Sequence, residues 1–152
     1  MKNSGMLPHV AAAPPPCRRS LLIERDFATL CTLREILVAA GFEVHCTAGP
    51  VEAWRLLARY RYHVVIADLD FGTADPSAGL DVMVHARQTN PTSCLVVVTS
   101  AADSAPRADL ERFGAEICRA VRGDIGALRD QLDTIVRTPY TARPSAQERR
   151  SC

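Results

Sequence analysis

Apolar and polar positions follow two rhythms along this chain. Leu21, Leu22 and Ile23 make a short continuous apolar run that ends on Glu24, and beyond Asp26 apolar residues recur at Leu30, Leu33, Leu37 and Ala40, the spacing of one helix face. Asp26 has the short oxygen-bearing side chain of an N-cap, and Gly41 is the residue type that closes a helix. Glu43 to Ala48 alternate as a strand does, and Gly49 with Pro50 at the first helical position opens a helix with Ala53, Trp54 and Leu57 on one face. Val64, Val65 and Ile66 predict a third strand, separated by an irregular stretch, 70–79, from a helix carrying Leu80, Met83, Val84 and Arg87. Leu95 to Val98 predict a fourth strand. Pro106 starts a helix with Leu110 and Phe113 that Gly114 ends, a weak fifth strand lies near Ile117 to Val121, and Ile125, Leu128, Leu132 and Ile135 mark the last helix.

Strand then helix, five times over, predicts a doubly wound α/β domain. Continuous aliphatic strands alternating with amphipathic helices form a parallel sheet covered on both faces, and ligands of such sheets gather at the carboxyl ends of the strands. Three pairs of chemically capable residues fall there: Glu24 with Arg25, Asp68 with Asp70, and Thr99 with Ser100. Asp68 ends the most water-avoiding segment of the chain, HVVIADLDFG. A carboxylate so placed can attack phosphorus and form an aspartyl phosphate, provided that a cation and fixed donors neutralise the transferring group.

Composition narrows the field. A chain of 152 residues, 47% hydrophobic, suits one domain, and a net charge of +1 lacks the electrostatic footprint of a nucleic-acid binder. No apolar run approaches the ~20 residues of a membrane helix, and the N-terminus lacks a secretory signal, so the cytoplasm is the expected compartment. Residues 1–19 and 137–152, proline-rich and polar respectively, are expected to be disordered arms around a folded domain at 20–136. The six cysteines, without a C-x-x-C pair, are expected to be buried reduced thiols, and the four histidines do not cluster with them into a zinc site. Lys2 is the only lysine, so chemistry that needs a lysine in the core is excluded.

In order along the chain, LLIERD, AAGFEVHCTAGPVEAWRLL, VVIADLD, LVVVTS and FGAEICRAVR resemble the receiver domain of bacterial two-component response regulators of the chemotaxis-regulator type, over roughly residues 20–136. The resemblance implies a flavodoxin-like five-stranded sheet in order 2-1-3-4-5 with helices on both faces. It further implies Asp68 as phosphoacceptor, Thr99 and Ser100 as phosphoryl-sensing residues, and magnesium among Glu24, Asp68 and the backbone carbonyl of Asp70. Its partners would be a sensor histidine kinase or phosphotransfer protein and a downstream protein target, with no nucleic acid or membrane, and the chain would be a monomer or weak homodimer without enzymatic activity. Output would use the face around Arg107, Arg112, Arg119, Arg129 and Asp133.

Departures from the family pattern make the expected receiver atypical. The second acid after the first strand is Arg25, the invariant lysine maps to Val121, the proline after it to Arg122 and the aromatic switch residue to Cys118, and the loop from Asp70 to Gly79 is longer than usual. Losing a carboxylate ligand and gaining a fixed positive charge both act against magnesium. The expectation is a single-domain receiver in phosphorelay signalling with weak or no magnesium-dependent phosphorylation, its pocket formed by Glu24 and Arg25, with Arg25 facing Asp68 in the metal's stead. The alternative is a phosphorylation-independent interaction module. More remotely, ADLDFGT and VVVTS resemble motifs of haloacid-dehalogenase-like phosphatases, but Phe71 interrupts the first, the lysine is missing and no later acidic pair follows.

Overall fold

The computed structural model describes residues 17–68, 77–99, 107–112, 114–119 and 125–137. Strand and helix alternate as β1 (Arg18–Ile23), α1 (Phe27–Ala39), β2 (Phe42–Thr47), α2 (Pro50–Arg59), β3 (Val64–Asp68), α3 (Ala78–Thr89), β4 (Cys94–Thr99), α4 (Arg107–Arg112), β5 (Glu116–Arg119) and α5 (Ile125–Arg137). All neighbouring strands pair in parallel, in the order β2-β1-β3-β4-β5.

Side-chain alternation in the strands divides the core into two layers. Leu21, Ile23, Val65, Ala67, Leu95 and Val97 face α2, α3 and α4, where Leu57, Met83 and Leu110 cover them. Leu22, Val64, Ile66, Val96 and Val98 face the other way, toward Leu33, Ile36 and Leu37 of α1 and Leu128, Leu132 and Val136 of α5. Helices thus cover both faces, and the central strands are apolar on both sides because neither side meets water.

Local chemistry sets the helix ends. The Asp26 carboxylate accepts the Thr29 N–H at 2.8 Å and the Thr29 hydroxyl at 2.7 Å, satisfying a donor that the first turn of α1 leaves open. Gly41 closes that helix at φ 84°, backbone that a side chain would strain. Pro50 starts α2, where its missing N–H costs nothing.

The structure departs from the sequence reading in four places. β1 begins at Arg18, inside the expected arm, because the Arg18 guanidinium lies 4.3 Å from the centre of the Phe42 ring and Arg19 pairs with Glu43 at 3.1 Å. α5 likewise runs to Arg137, which pairs with Asp133 one turn back at 2.7 Å; the rest of both arms lies outside the described residues. The buried face of α3 is Gly79, Val82, Met83 and Ala86 rather than the stripe through Leu80 and Val84. Its flank carries Arg87, whose guanidinium donates to the carbonyls of Pro91 and Ser93 at 2.8 Å each and ties the turn into β4. Among the described cysteine side chains only Cys94 is buried; Cys17, just before β1, is exposed, Cys31 on α1 is intermediate, and Cys46 is exposed because β2 is the edge strand.

A polar cluster holds that edge at the amino end of the sheet. Glu43 accepts from the Cys17 thiol at 2.8 Å and from Arg19, and its other oxygen lies 3.2 Å from His45 Nε2, while His45 Nδ1 lies 2.7 Å from the buried Tyr62 hydroxyl. The Glu43 carboxylate in turn pushes the Cys17 thiol up from its ordinary value. Among the described residues no helix is long and apolar enough to cross a membrane.

Candidate functional site

Strand register assembles the site at the carboxyl edge. Ile23 on β1 lies opposite Ala67 on β3, and Asp68 lies opposite Val98 on β4. One step further along each strand, Glu24 leaves β1 on one side of Asp68, and Thr99, the last residue of β4, stands on the other. With parallel strands ~4.8 Å apart, three successive strands deliver Glu24, Asp68 and Thr99 in a row. The sequence reading of one shared crevice therefore holds for the backbone positions of these three.

Glu24 is the most constrained member, only 3% exposed. Its backbone N–H donates to the Thr47 carbonyl at 3.0 Å, and its carboxylate accepts the Asp26 N–H at 2.7 Å. Burial pushes its carboxyl above the ordinary value of 4.5; the N–H groups of Asp26 and Arg25 pull it back down, and the negative charges of Asp68 and Asp26 push it up. Burial wins. Asp26 behaves oppositely: its bonds from Thr29 hold its carboxyl below the ordinary range, and they commit that acid to capping α1 rather than to the crevice. Asp68 is half-buried at the tip of β3, reachable from solvent.

Arg25 is exposed at the bend between β1 and α1, and its backbone N–H serves the buried Glu24 carboxylate. Arg25 thus stands at the mouth of the crevice. Thr47 is a contributor that the sequence reading missed. It ends β2 in the same edge, is buried, accepts from Glu24 and bonds Gly49 through its hydroxyl; its position at the carboxyl end of a strand was the available signal. The Thr99 side chain, Asp70, Ser100, Val121, Arg122 and the Cys118 side chain lie outside the described residues, although the Cys118 backbone pairs with Val98 across β4 and β5.

Two carboxylates in one crevice are hard oxygen donors of the kind magnesium takes. Among the described residues, however, no group of three His, Cys, Asp or Glu side chains gathers as a metal site. Glu24 and Asp68 suit the cation in kind, and water and phosphate oxygens would complete its shell.

No protein-family model matches the chain, and no curated protein matches it in sequence. Solved structures do match. A CheY-like response regulator receiver domain protein from Methanospirillum hungatei JF-1 superposes with a TM-score of 0.65 at 18% identity, covering 79% of this chain and 94% of the other. A response regulator from Burkholderia pseudomallei, with a phosphorylated aspartic acid, calcium ion and citrate, gives 0.65 at 19% identity over 82% of this chain and 69% of its own. An orphan response regulator of H. pylori gives 0.64 at 18% identity over 82% and 100%. The chain has the fold of a response-regulator receiver domain.

Proposed function

We propose that this chain is a receiver in phosphorelay signal transduction, with Asp68 as the phosphoacceptor and with weak or no magnesium-dependent phosphorylation. The observation that carries the reading is the half-exposed Asp68 carboxylate at the carboxyl tip of β3, beside the buried carboxyl of Glu24. The phosphorylated aspartic acid of the Burkholderia structure shows that a similar fold supports this chemistry there.

In the proposed reaction an Asp68 oxygen attacks the phosphorus of a phosphohistidine or a small acyl phosphate. A new O–P bond forms, the bond from phosphorus to the donor breaks, and the electron pair leaves with the donor. Magnesium, when bound, would neutralise charge on the transferring group, and Glu24 and Asp68 are the residues that would hold it. Arg25 at the mouth stands where a second acidic ligand is expected, and its charge opposes a divalent cation. Upstream partners are a sensor histidine kinase or phosphotransfer protein, the downstream partner is a protein target, and the chain itself is not an enzyme.

The second reading, an interaction module that works without phosphorylation, draws on the raised Glu24 carboxyl and the cationic Arg25, both of which weaken a metal-assisted site. Intact-mass measurement after incubation with acetyl phosphate, with and without magnesium, and with a phosphorylated phosphotransfer protein, separates the two. Slow addition of one phosphoryl group, little changed by magnesium and absent in Asp68→Asn, supports the atypical receiver. Rapid, stoichiometric, magnesium-dependent modification would overturn the word atypical, and no transfer from either donor would hand the protein to the second reading.

A further inference from the structure

Residues 59–63, RYRYH, interleave bases with aromatic rings where α2 gives way to β3, at the end of the sheet opposite Glu24 and Asp68. Strand register sets Arg19 beside them. Ser20 lies opposite Val64, so Arg19 and His63 are neighbours one step earlier, and on its other side Arg19 lies opposite Glu43. These side chains share the face of the sheet that Leu21 and Val65 present to α2 further along the same strands.

Tyr60 organises the cations of this edge. The centre of its ring lies 5.5 Å from the Arg19 guanidinium and 5.4 Å from that of Arg59, within reach of cation–π attraction. His45 meets the same ring edge-on at 4.9 Å. A guanidinium held against a ring keeps its N–H edge for a ligand. Arg19 spends its Nε on Glu43 at 3.1 Å and keeps its terminal N–H groups, while Arg59 is exposed and has no carboxylate partner among the described residues. His63 adds a donor: its Nδ1 accepts the Arg19 backbone N–H at 3.2 Å, which leaves the proton of the neutral ring on Nε2 of an exposed side chain. Glu43, the acid beside them, is already committed. Bonds from Cys17, His45 and Arg19 hold its carboxyl below the ordinary value.

We propose that this amino edge, centred on Arg19, Arg59 and His63, is a docking surface for an acidic segment of a partner protein, whose carboxylates take the outward N–H groups. Charge complementarity selects the occupant, since the donors are cationic or neutral and the neighbouring acid is spent. A single-stranded nucleic acid would also bring anions to a basic, aromatic surface, but it needs open ring faces on which bases stack. Here Tyr62 is buried, and Arg19 and Arg59 lie over Tyr60. Because the surface is at the far end of the sheet from the crevice, it stands whether or not Asp68 accepts a phosphoryl group.

Fluorescence anisotropy of a labelled peptide of alternating Glu and Ser residues tests this at neutral pH, with the full chain and no phosphoryl donor. Binding should appear at low ionic strength and weaken at least about tenfold between about 50 and about 300 mM salt. Arg59→Glu should weaken it at least about tenfold, because it removes a cation and sets an acid against the ligand, and Arg19→Gln about threefold. Arg34→Glu, exposed on α1 against the other face of the sheet, makes the same change in net charge and should leave the affinity within about twofold of wild type. A peptide with Gln in place of Glu should not bind. Circular dichroism confirms that each variant is folded. No peptide binding at the lowest salt, an affinity that Arg59→Glu lowers no more than Arg34→Glu does, or an oligothymidylate that binds more tightly than the peptide would overturn the inference.

Discussion

Replacing Glu24 by glutamine removes one charge from the crevice and keeps the shape of the side chain. Because Ile23 and Ala67 are register partners, Glu24 and Asp68 occupy the next positions on adjacent strands, with carboxylates ~6 Å apart. At an effective dielectric of ~20 to 40, two like charges at that separation repel by about 1.5 to 3 kcal/mol, and solvent at half-exposed Asp68 favours the lower end. Against this gain, an amide accepts the Asp26 N–H less strongly than a carboxylate, a loss of about 1 kcal/mol. Burial first, and the charges of Asp68 and Asp26 after it, raise the Glu24 carboxyl, so in the folded state the neutral form is favoured more than in water and a neutral amide gains on both counts. Glu24→Gln is therefore expected to stabilise the fold at neutral pH by about 1 kcal/mol, a rise in Tm of about 3 to 6 °C. The gain depends on pH. Below the ordinary carboxyl value of 4.5, wild-type Glu24 is protonated whether folded or unfolded and the two proteins should be equally stable. As pH rises past that value and through the raised folded one, the unfolded chain ionises more readily, so wild type loses stability that the variant keeps, and the difference reaches a plateau above the folded value. Urea unfolding from pH 4 to 8 measures this directly. A variant less stable than wild type at pH 7, or a difference that does not change with pH, would refute the electrostatic account.

Other perturbations probe the frame around the crevice. Asn90→Ala removes the side-chain oxygen that accepts the buried Tyr62 N–H at 2.8 Å, and leaving that donor unsatisfied should cost about 1 to 3 kcal/mol in chemical unfolding. Asp26→Ala removes the cap of α1 and one negative charge near Glu24; the cap should dominate, with a loss of about 1 kcal/mol, partly offset at neutral pH. Arg25→Asp rebuilds an acidic pair at the mouth, and thermal unfolding should then show a larger rise in Tm with millimolar magnesium than wild type shows; equal responses would mean that Arg25 does not oppose the cation. Leu132→Ala, deep between α5 and the sheet, should cost about 2 to 5 kcal/mol, and a smaller loss would mean that the α5 layer repacks.

Most of this architecture could be read from the chain because the signals were local. The Asp26 cap, the left-handed Gly41, Pro50 at the start of α2 and the aliphatic runs of β3 and β4 each follow from one residue type meeting one backbone requirement. What escaped depended on neighbours distant in sequence. Arg18 and Arg19 look like part of an arm until Phe42 and Glu43 are set beside them by the β1–β2 pairing. Cys46 reads as a core thiol until β2 proves to be the edge of the sheet. In the site, the position of Asp68 was legible because the apolar run of β3 ends on it, whereas the part played by Thr47 was not, since it depends on the pairing of β2 with β1.

The bend between β1 and α1 bears on how the crevice balances its charge. Helices of a doubly wound sheet run back against the strands, so the amino end of α1, with its partial positive charge, sits at the same edge as Glu24 and Asp68. Asp26 takes the open N–H of Thr29, while the Asp26 and Arg25 N–H groups serve Glu24. These fixed donors do not fully offset burial, since the Glu24 carboxyl remains above its ordinary value. Any positive charge brought to the crevice would therefore favour ionised Glu24, and a guanidinium at the mouth and a divalent cation inside would compete for that role. The two differ in what they would leave for phosphoryl transfer: a divalent cation would take oxygens of the transferring group into its own shell, whereas a guanidinium offers only N–H donors and a fixed charge. If Arg25 holds the role, modification of Asp68 should be slow and insensitive to magnesium, and Arg25→Asp should make it magnesium-sensitive whether or not it makes it fast.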